Sequence, residues 1–222
     1  FDRLGRPDAL IHLAWGGLPN YQSLHHYEQE LPAHYALLKQ LVRDGLANLV
    51  VAGTCFEYGM QSGPLAETMN ALPANPYALA KDTLRRQLQQ LQGELPFALT
   101  WARLFYLHGE GQAATALLPQ LRQAVAAAKP TFAMSGGEQL RDYVAVEQAA
   151  DHLVALAAKR REHGVVNVCS GRPVSVRSLV EGWIAANRWS IGLDLGRYPY
   201  PAHEPMAFWG DSAKLTQCLQ AP

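Results

Sequence analysis

Short apolar runs alternate along this chain with longer amphipathic ones. Residues 8–14 form an apolar run closed by Trp15, Gly16 and Gly17. Residues 48–52 form a second, closed by Gly53 and Thr54; residues 97–103 a third; and residues 165–169 a fourth, closed by Ser170 and Gly171. Runs this short and this continuously apolar read as strands buried on both faces of a parallel sheet. Between them, apolar positions recur at helical spacing over residues 28–44, 77–92, 115–128, 146–161 and 176–187. Gly45, Gly93 and Gly164 are placed to stop three of these helices. Strands alternating with helices predict βαβ units, hence a sheet covered on both faces whose ligands bind at the carboxyl ends of its strands. After Phe105 the pattern is less regular. Residues 194–209 are rich in aromatics and prolines and read as loops of a substrate-side lobe.

The residues with chemical potential fall just after predicted strands or at the start of the next helix. Thr54 follows the second strand, with Tyr58 and Gly59 four and five residues on. Tyr77 and Lys81 open the second helix behind Pro76, which suits a first helical turn. Four residues apart, their side chains share one face. A tyrosine titrates near 10 and is a poor base at neutral pH, but a neighbouring ammonium favours the phenolate. Such a tyrosine can exchange a proton with a hydroxyl or carbonyl, and Thr54 can hydrogen-bond the same oxygen. Proton transfer at an oxygen coupled to hydride transfer at its carbon is alcohol–ketone redox chemistry, and the hydride requires a cofactor. Alone, the Tyr–Lys spacing is also that of an ordinary surface helix pair.

Composition narrows the alternatives. The chain has 222 residues, 49% hydrophobic, which suffices for a sizeable core. Nineteen basic and nineteen acidic residues balance to zero net charge, so no electrostatic footprint for nucleic acid is present. Cys55, Cys169 and Cys218 are neither a disulfide framework nor a zinc pattern, and point to a reducing, cytoplasmic setting. No apolar run approaches the ~18 residues of a membrane span. Cys55 beside Thr54 reads as a small buried filler. His25 and His26 with Glu28 are a thin hint of metal, and polar clusters are common where helices start; no metal is expected.

Taken together, these motifs resemble the extended short-chain dehydrogenase/reductases of the nucleotide-sugar epimerase/dehydratase family. The resemblance rests on Thr54 with Tyr58-Gly59, on Pro76-Tyr77 with Lys81, on His12-Leu13-Ala14, and on Arg103, Phe105 and Gly109. It continues through Arg141-Asp142-Tyr143-Val144 with Val146, Asn167-Val168 with Ser170-Gly171, and Phe208-Trp209-Gly210-Asp211 with Lys214, so it spans residues 8 to 215. It implies an α/β fold: a Rossmann-type doubly wound parallel sheet, N-terminally incomplete, with a smaller C-terminal substrate-binding lobe. Residues 1–110 would belong to the NAD(P)-binding domain and 111–222 mainly to the lobe, with 143–170 returning to the sheet. The roles it implies are Tyr77 as acid/base, Lys81 lowering its pKa and binding the nicotinamide ribose, and Thr54 on the reacting oxygen. Leu13, Ala14, Trp15, Leu104 and Phe105 would line an NAD or NADP cofactor, and Tyr106 and Arg141 would face the nucleotide sugar, Arg141 on the diphosphate. The alternative for Arg141 is a salt bridge with Asp142 or another acid. The family often dimerises through two helices, here residues 28–44 and 77–92.

Departures shape the expected activity. The family's opening strand and glycine-rich pyrophosphate turn have no counterpart, so the resemblance implies that roughly 50–70 further residues precede this stretch. Position 106 is Tyr where the family often has Asn. Trp15 replaces a small residue, and the arginine usual before the late Asp is absent from Tyr200-Pro201-Ala202-His203-Glu204. A 4,6-dehydratase is disfavoured because that branch sets Asp-Glu directly after the active-site Thr, where this chain has Cys55-Phe56. A 4-ketoreductase and a 4-epimerase remain, the departures leaning to the reductase. The alternative class is a non-catalytic dinucleotide- or sugar-nucleotide-binding protein or an inactive fragment, against which both Tyr77 and Lys81 speak.

Overall fold

The computed structural model describes residues 5–201 and 204–220; Ala202 and His203 of the late proline-rich segment lie outside them. The elements in chain order are β1 (Ala9–His12), α1 (Leu31–Arg43), β2 (Asn48–Thr54), β3 (Gly63–Leu65), α2 (Pro76–Leu91), β4 (Ala98–Leu104), β5 (Tyr106–His108), α3 (Leu117–Ala126), β6 (Thr131–Ala133) and β7 (Leu140–Ala145). They continue with α4 (Val146–Ala158), β8 (Gly164–Val168), β9 (Pro173–Ser175), α5 (Val176–Asn187), β10 (Gly192–Asp194), β11 (Phe208–Gly210) and α6 (Ala213–Gln220).

The four predicted apolar runs become the four strands of one parallel sheet, in the order β1-β2-β4-β8. Every residue of β2 is buried, as a strand covered on both faces must be. Alternation assigns the faces. Leu49, Val51, Leu99 and Trp101 pack against Leu38, Leu41, Leu84 and Leu88 of α1 and α2. Val50, Ala102 and Val168 pack on the opposite face against Ala149 and Leu153 of α4. The second, smaller core joins α3 and α5 through Leu121, Phe132, Met134, Val176 and Val180.

Several expected boundaries need correction. The helix expected over residues 28–44 is two pieces, a wide turn His26–Glu30 followed by α1, which starts with Pro32 in its first turn. Gly164 does not stop a helix: α4 ends at Ala158, Arg160 takes the left-handed conformation at φ 49°, and Gly164 opens β8. Seven short strands were not evident in the pattern. β5, β7 and β9 form a three-stranded sheet, β6 pairs with β10, and β3 pairs with β11. No described helix is long and apolar enough to cross a membrane.

Candidate active site

Local sequence places the three principal side chains. Asn75 accepts a hydrogen bond from the Ala78 N–H at 2.8 Å, and Pro76 follows as the first helical residue, so α2 starts where its first turn presents Tyr77. Lys81, one turn on, is buried and donates to the Ala52 carbonyl of β2 at 2.8 Å. Thr54 ends β2, and its hydroxyl accepts from the Phe56 N–H at 3.3 Å while its own N–H donates to Glu57 Oε1 at 2.9 Å. Tyr77 and Thr54 share the wall of a cavity of about 710 Å³ with Tyr21, Cys55, Phe105 and Tyr106, at the carboxyl ends of β2 and β4. Leu104 lines the same cavity.

The electrostatics differ from the simple expectation that Lys81 lowers the Tyr77 pKa. Burial pushes the Tyr77 phenol up, the neighbouring Tyr21, Glu57 and Cys55 push the same way, and only the nearby Thr54 hydroxyl opposes them. The Lys81 Nζ is 5.9 Å from the Tyr77 ring centre and 4.1 Å from that of Trp15, and in the resting site it does not offset the burial of the phenol. Tyr77 is therefore held as a neutral phenol. Lys81 is itself pulled down to about 8 by burial, with Glu57 and Glu30 pushing back. Cys55 is buried and its thiol is pushed up, which suits a filler rather than a nucleophile.

The other expected residues divide. Trp15 packs edge-on to Tyr77 at 6.1 Å and stands beside Lys81, whereas Leu13 and Ala14 are exposed after β1. Phe105 lines the cavity from a largely buried position, against Phe208. Tyr106 lines the main cavity and an adjoining one of about 300 Å³, which Arg141 also lines. Arg141 forms no pair with Asp142. It pairs with Glu204, Nη2 to Oε2 at 2.9 Å, and Tyr106 donates to the same oxygen at 2.8 Å. Asp142 is instead a buried anchor that accepts from the N–H groups of Ser170 at 2.7 Å and Gly171 at 2.9 Å.

Besides Glu204, sequence reasoning missed two acids. Glu57 is fully buried, receives Arg103 Nε at 2.7 Å and Trp101 Nε1 at 2.9 Å, and holds the turn that carries Thr54. Gly53 permits this: a Cβ there would collide with Trp101 Nε1 and lie 2.6 Å from Glu57 Oε1. The acid that His25 and His34 contact is Glu30, not the Glu28 expected beside His25 and His26.

The residues present fit a nicotinamide cofactor on one observation. The Lys81 ammonium has three donors, and Ala52 O takes one; the others meet no acceptor among the described residues and suit the hydroxyls of a ribose.

Beneath the site, His12 is buried, and burial together with His34 and Lys81 pulls its pKa to about 4 from 6.5. Its folded value lies below its unfolded value, so the native state binds fewer protons. That stability is complete above about pH 6.5 and is lost as pH falls toward 4. We expect roughly 2–3 kcal/mol of loss from this group across that window. Urea midpoints at pH 7.5 and 4.5 would read it. A His12→Asn variant should lose distinctly less, and an equally steep loss would contradict the assignment.

A family model described as NAD dependent epimerase/dehydratase family matches residues 1–169. The chain is 29% identical to a dTDP-6-deoxy-L-talose 4-dehydrogenase (NAD(+)) of Aggregatibacter actinomycetemcomitans, over 94% of this chain and 77% of that protein. It is 28% identical to a probable UDP-arabinose 4-epimerase of Oryza sativa subsp. japonica, over 86% of this chain but only 54% of the relative's length. Among solved structures, a UDP-N-acetylglucosamine 4-epimerase from Methanobrevibacter ruminantium M1 in complex with UDP-N-acetylmuramic acid superposes with a TM-score of 0.86 at 22% identity, covering 97% of this chain and 71% of that one. With 169 of 222 residues matched, this chain belongs to the NAD dependent epimerase/dehydratase family.

Proposed function

We propose that the protein is an NAD(P)-dependent oxidoreductase acting on a nucleoside-diphosphate hexose, working as a 4-ketoreductase. The observation that carries this reading is the grouping of Thr54 and a protonated Tyr77 on one wall of the cavity, with Lys81 behind them. Tyr77 gives its proton to the oxygen at C4 as that carbonyl becomes a hydroxyl. Thr54 hydrogen-bonds the same oxygen, and the Lys81 ammonium steadies the phenolate left behind. Lys81, Tyr77, Leu13, Ala14, Trp15, Leu104 and Phe105 would hold a nicotinamide cofactor, which would supply the hydride. A neutral phenol is the form that donates, which favours reduction, and the relative named a 4-dehydrogenase carries out the same interconversion in its name.

Tyr106 and Arg141 take the nucleotide-diphosphate end, Arg141 exchanging Glu204 for phosphate oxygens. We assign residues 1–110 to the cofactor-side domain and 111–222 mainly to the substrate lobe, with 143–170 contributing to the sheet. We also infer a homodimer through the outer faces of α1 and α2, where Leu37 and Leu79 are exposed, and a cytoplasmic setting suited to three free thiols. Epimerisation at C4 is the second reading, favoured by the relatives named 4-epimerases.

The purified protein, incubated with NADH or NADPH and a 4-keto-6-deoxy nucleotide hexose, should consume reduced cofactor in proportion to substrate. Interconversion of C4 epimers without consumption would replace the reductase by the epimerase. Binding of cofactor and sugar nucleotide with no turnover of either kind would make it a non-catalytic binding protein.

A further inference from the structure

A cluster of ionisable side chains reaches the site from the side away from the cavity. Glu30 ends the turn before α1, and its carboxylate gathers three hydrogen bonds: from the Gly16 N–H at 2.6 Å, with His25 Nε2 at 2.9 Å and with His34 Nε2 at 3.0 Å. The other ring nitrogen of His34 meets His12 Nε2 at 3.0 Å, at the end of β1. The fit around Gly16 is close, since a Cβ there would lie 2.7 Å from Glu30 Oε1. The residue before it is Trp15, whose indole stacks on His34 at 4.8 Å, donates to His26 Nδ1 at 3.1 Å and covers the Lys81 Nζ at 4.1 Å. One carboxylate thus decides where the ring over Lys81 sits.

We propose that Glu30 is a positioning residue of this site: its carboxylate fixes the Trp15–Gly16 turn that covers Lys81. The proposal rests on the reading of Tyr77 and Lys81 given above. The groups facing Lys81 are Glu57 from the turn after β2, Glu30 from the turn before α1, His12 from β1 and Tyr77 on its own helix. Those facing Glu30 are His25 and His34, with His12 behind His34. The Gly16 N–H, foremost, keeps the Glu30 carboxyl below its usual range, so the carboxylate is charged wherever Lys81 titrates. Its charge in turn raises the Lys81 value against the cost of burial.

The test reads Trp15 fluorescence against pH in the unliganded protein, with Trp15→Phe as the blank. The wild type should show a midpoint near 8. In Glu30→Gln the midpoint should fall by about one pH unit, the size of a lost neighbouring charge. In Glu30→Asp, which keeps the charge and shortens the reach, it should stay at the wild-type value. An unmoved midpoint in Glu30→Gln overturns the proposal. Gly16→Ala, which displaces the carboxylate without neutralising it, should weaken binding of the reduced cofactor about tenfold. Wild-type affinity in that variant also overturns it, and Gly16→Ala serves if Glu30→Gln does not fold. A wild-type protein that binds no dinucleotide would instead overturn the proposed function, and the Trp15 titration would still judge the role of Glu30.

Discussion

Tyr77→Phe should lower kcat by about 10²–10⁴-fold, the usual worth of a positioned proton donor. The protein should remain folded, because the ring and not the hydroxyl makes the packing contacts. Its centroid lies 5.4 Å from Tyr21, 5.2 Å from His26 and 6.1 Å from Trp15, and phenylalanine preserves all three. Substrate and cofactor dissociation constants should therefore stay near wild type while turnover collapses. Steady-state kinetics with a thermal melt on the same preparation would check both, and unchanged turnover would remove Tyr77 from the mechanism. The pH profile carries a related expectation. Burial keeps the phenol protonated well past neutrality, so the alkaline limb of the rate should reflect the loss of the Lys81 proton at about 8, not the ionisation of Tyr77.

Glu57→Ala should cost about 3–5 kcal/mol of folding stability. Both Glu57 and its partner Arg103 are buried, and the carboxylate also satisfies the Trp101 indole and the Thr54 N–H. Removing it strands a guanidinium whose Nη1 already has no partner. Taking two charges out of water is expensive, so the intact pair adds little net stability, but half of it is worse than none. A double change of Glu57 and Arg103 to apolar residues of similar size should therefore recover much of the loss. Urea unfolding of the single and double variants would measure this, and a single-variant loss below about 1 kcal/mol would contradict the buried pair. The turn that presents Thr54 hangs on the same carboxylate, so activity should fall with stability.

The main sheet was legible because a strand covered on both faces must be apolar throughout. Residues 48–52 could hardly be anything else, and the structure extends that strand only to Thr54. Residues 176–187 were legible to the residue because Ser175 caps the helix, accepting from the Ser178 N–H at 3.0 Å, and Arg188 closes it in the left-handed conformation. The short strands were not legible. Three residues such as Gly63–Leu65 carry no periodicity, and their pairing with Phe208–Gly210 is fixed by contacts 145 positions away in the chain. Tyr77, Lys81 and Thr54 could be found because their spacing places them at one strand end and one helix start. Glu57 could not, since its partner Arg103 is 46 residues distant and a single acid between two aromatics carries no pattern. The same holds for Glu204, which answers Arg141 from a segment rich in proline.

The central claim is that Tyr77 and Thr54 on the cavity wall, with Lys81 behind them, support hydride transfer to C4 of a nucleotide sugar. The direct test supplies reduced cofactor deuterated at the transferring carbon, together with a 4-keto-6-deoxy nucleotide hexose, and locates the label by mass spectrometry and NMR. The product should carry one deuterium at C4, and Tyr77→Phe should form that labelled product about 10²–10⁴-fold more slowly. Product without label at C4, or labelled product formed equally well by Tyr77→Phe, would contradict it.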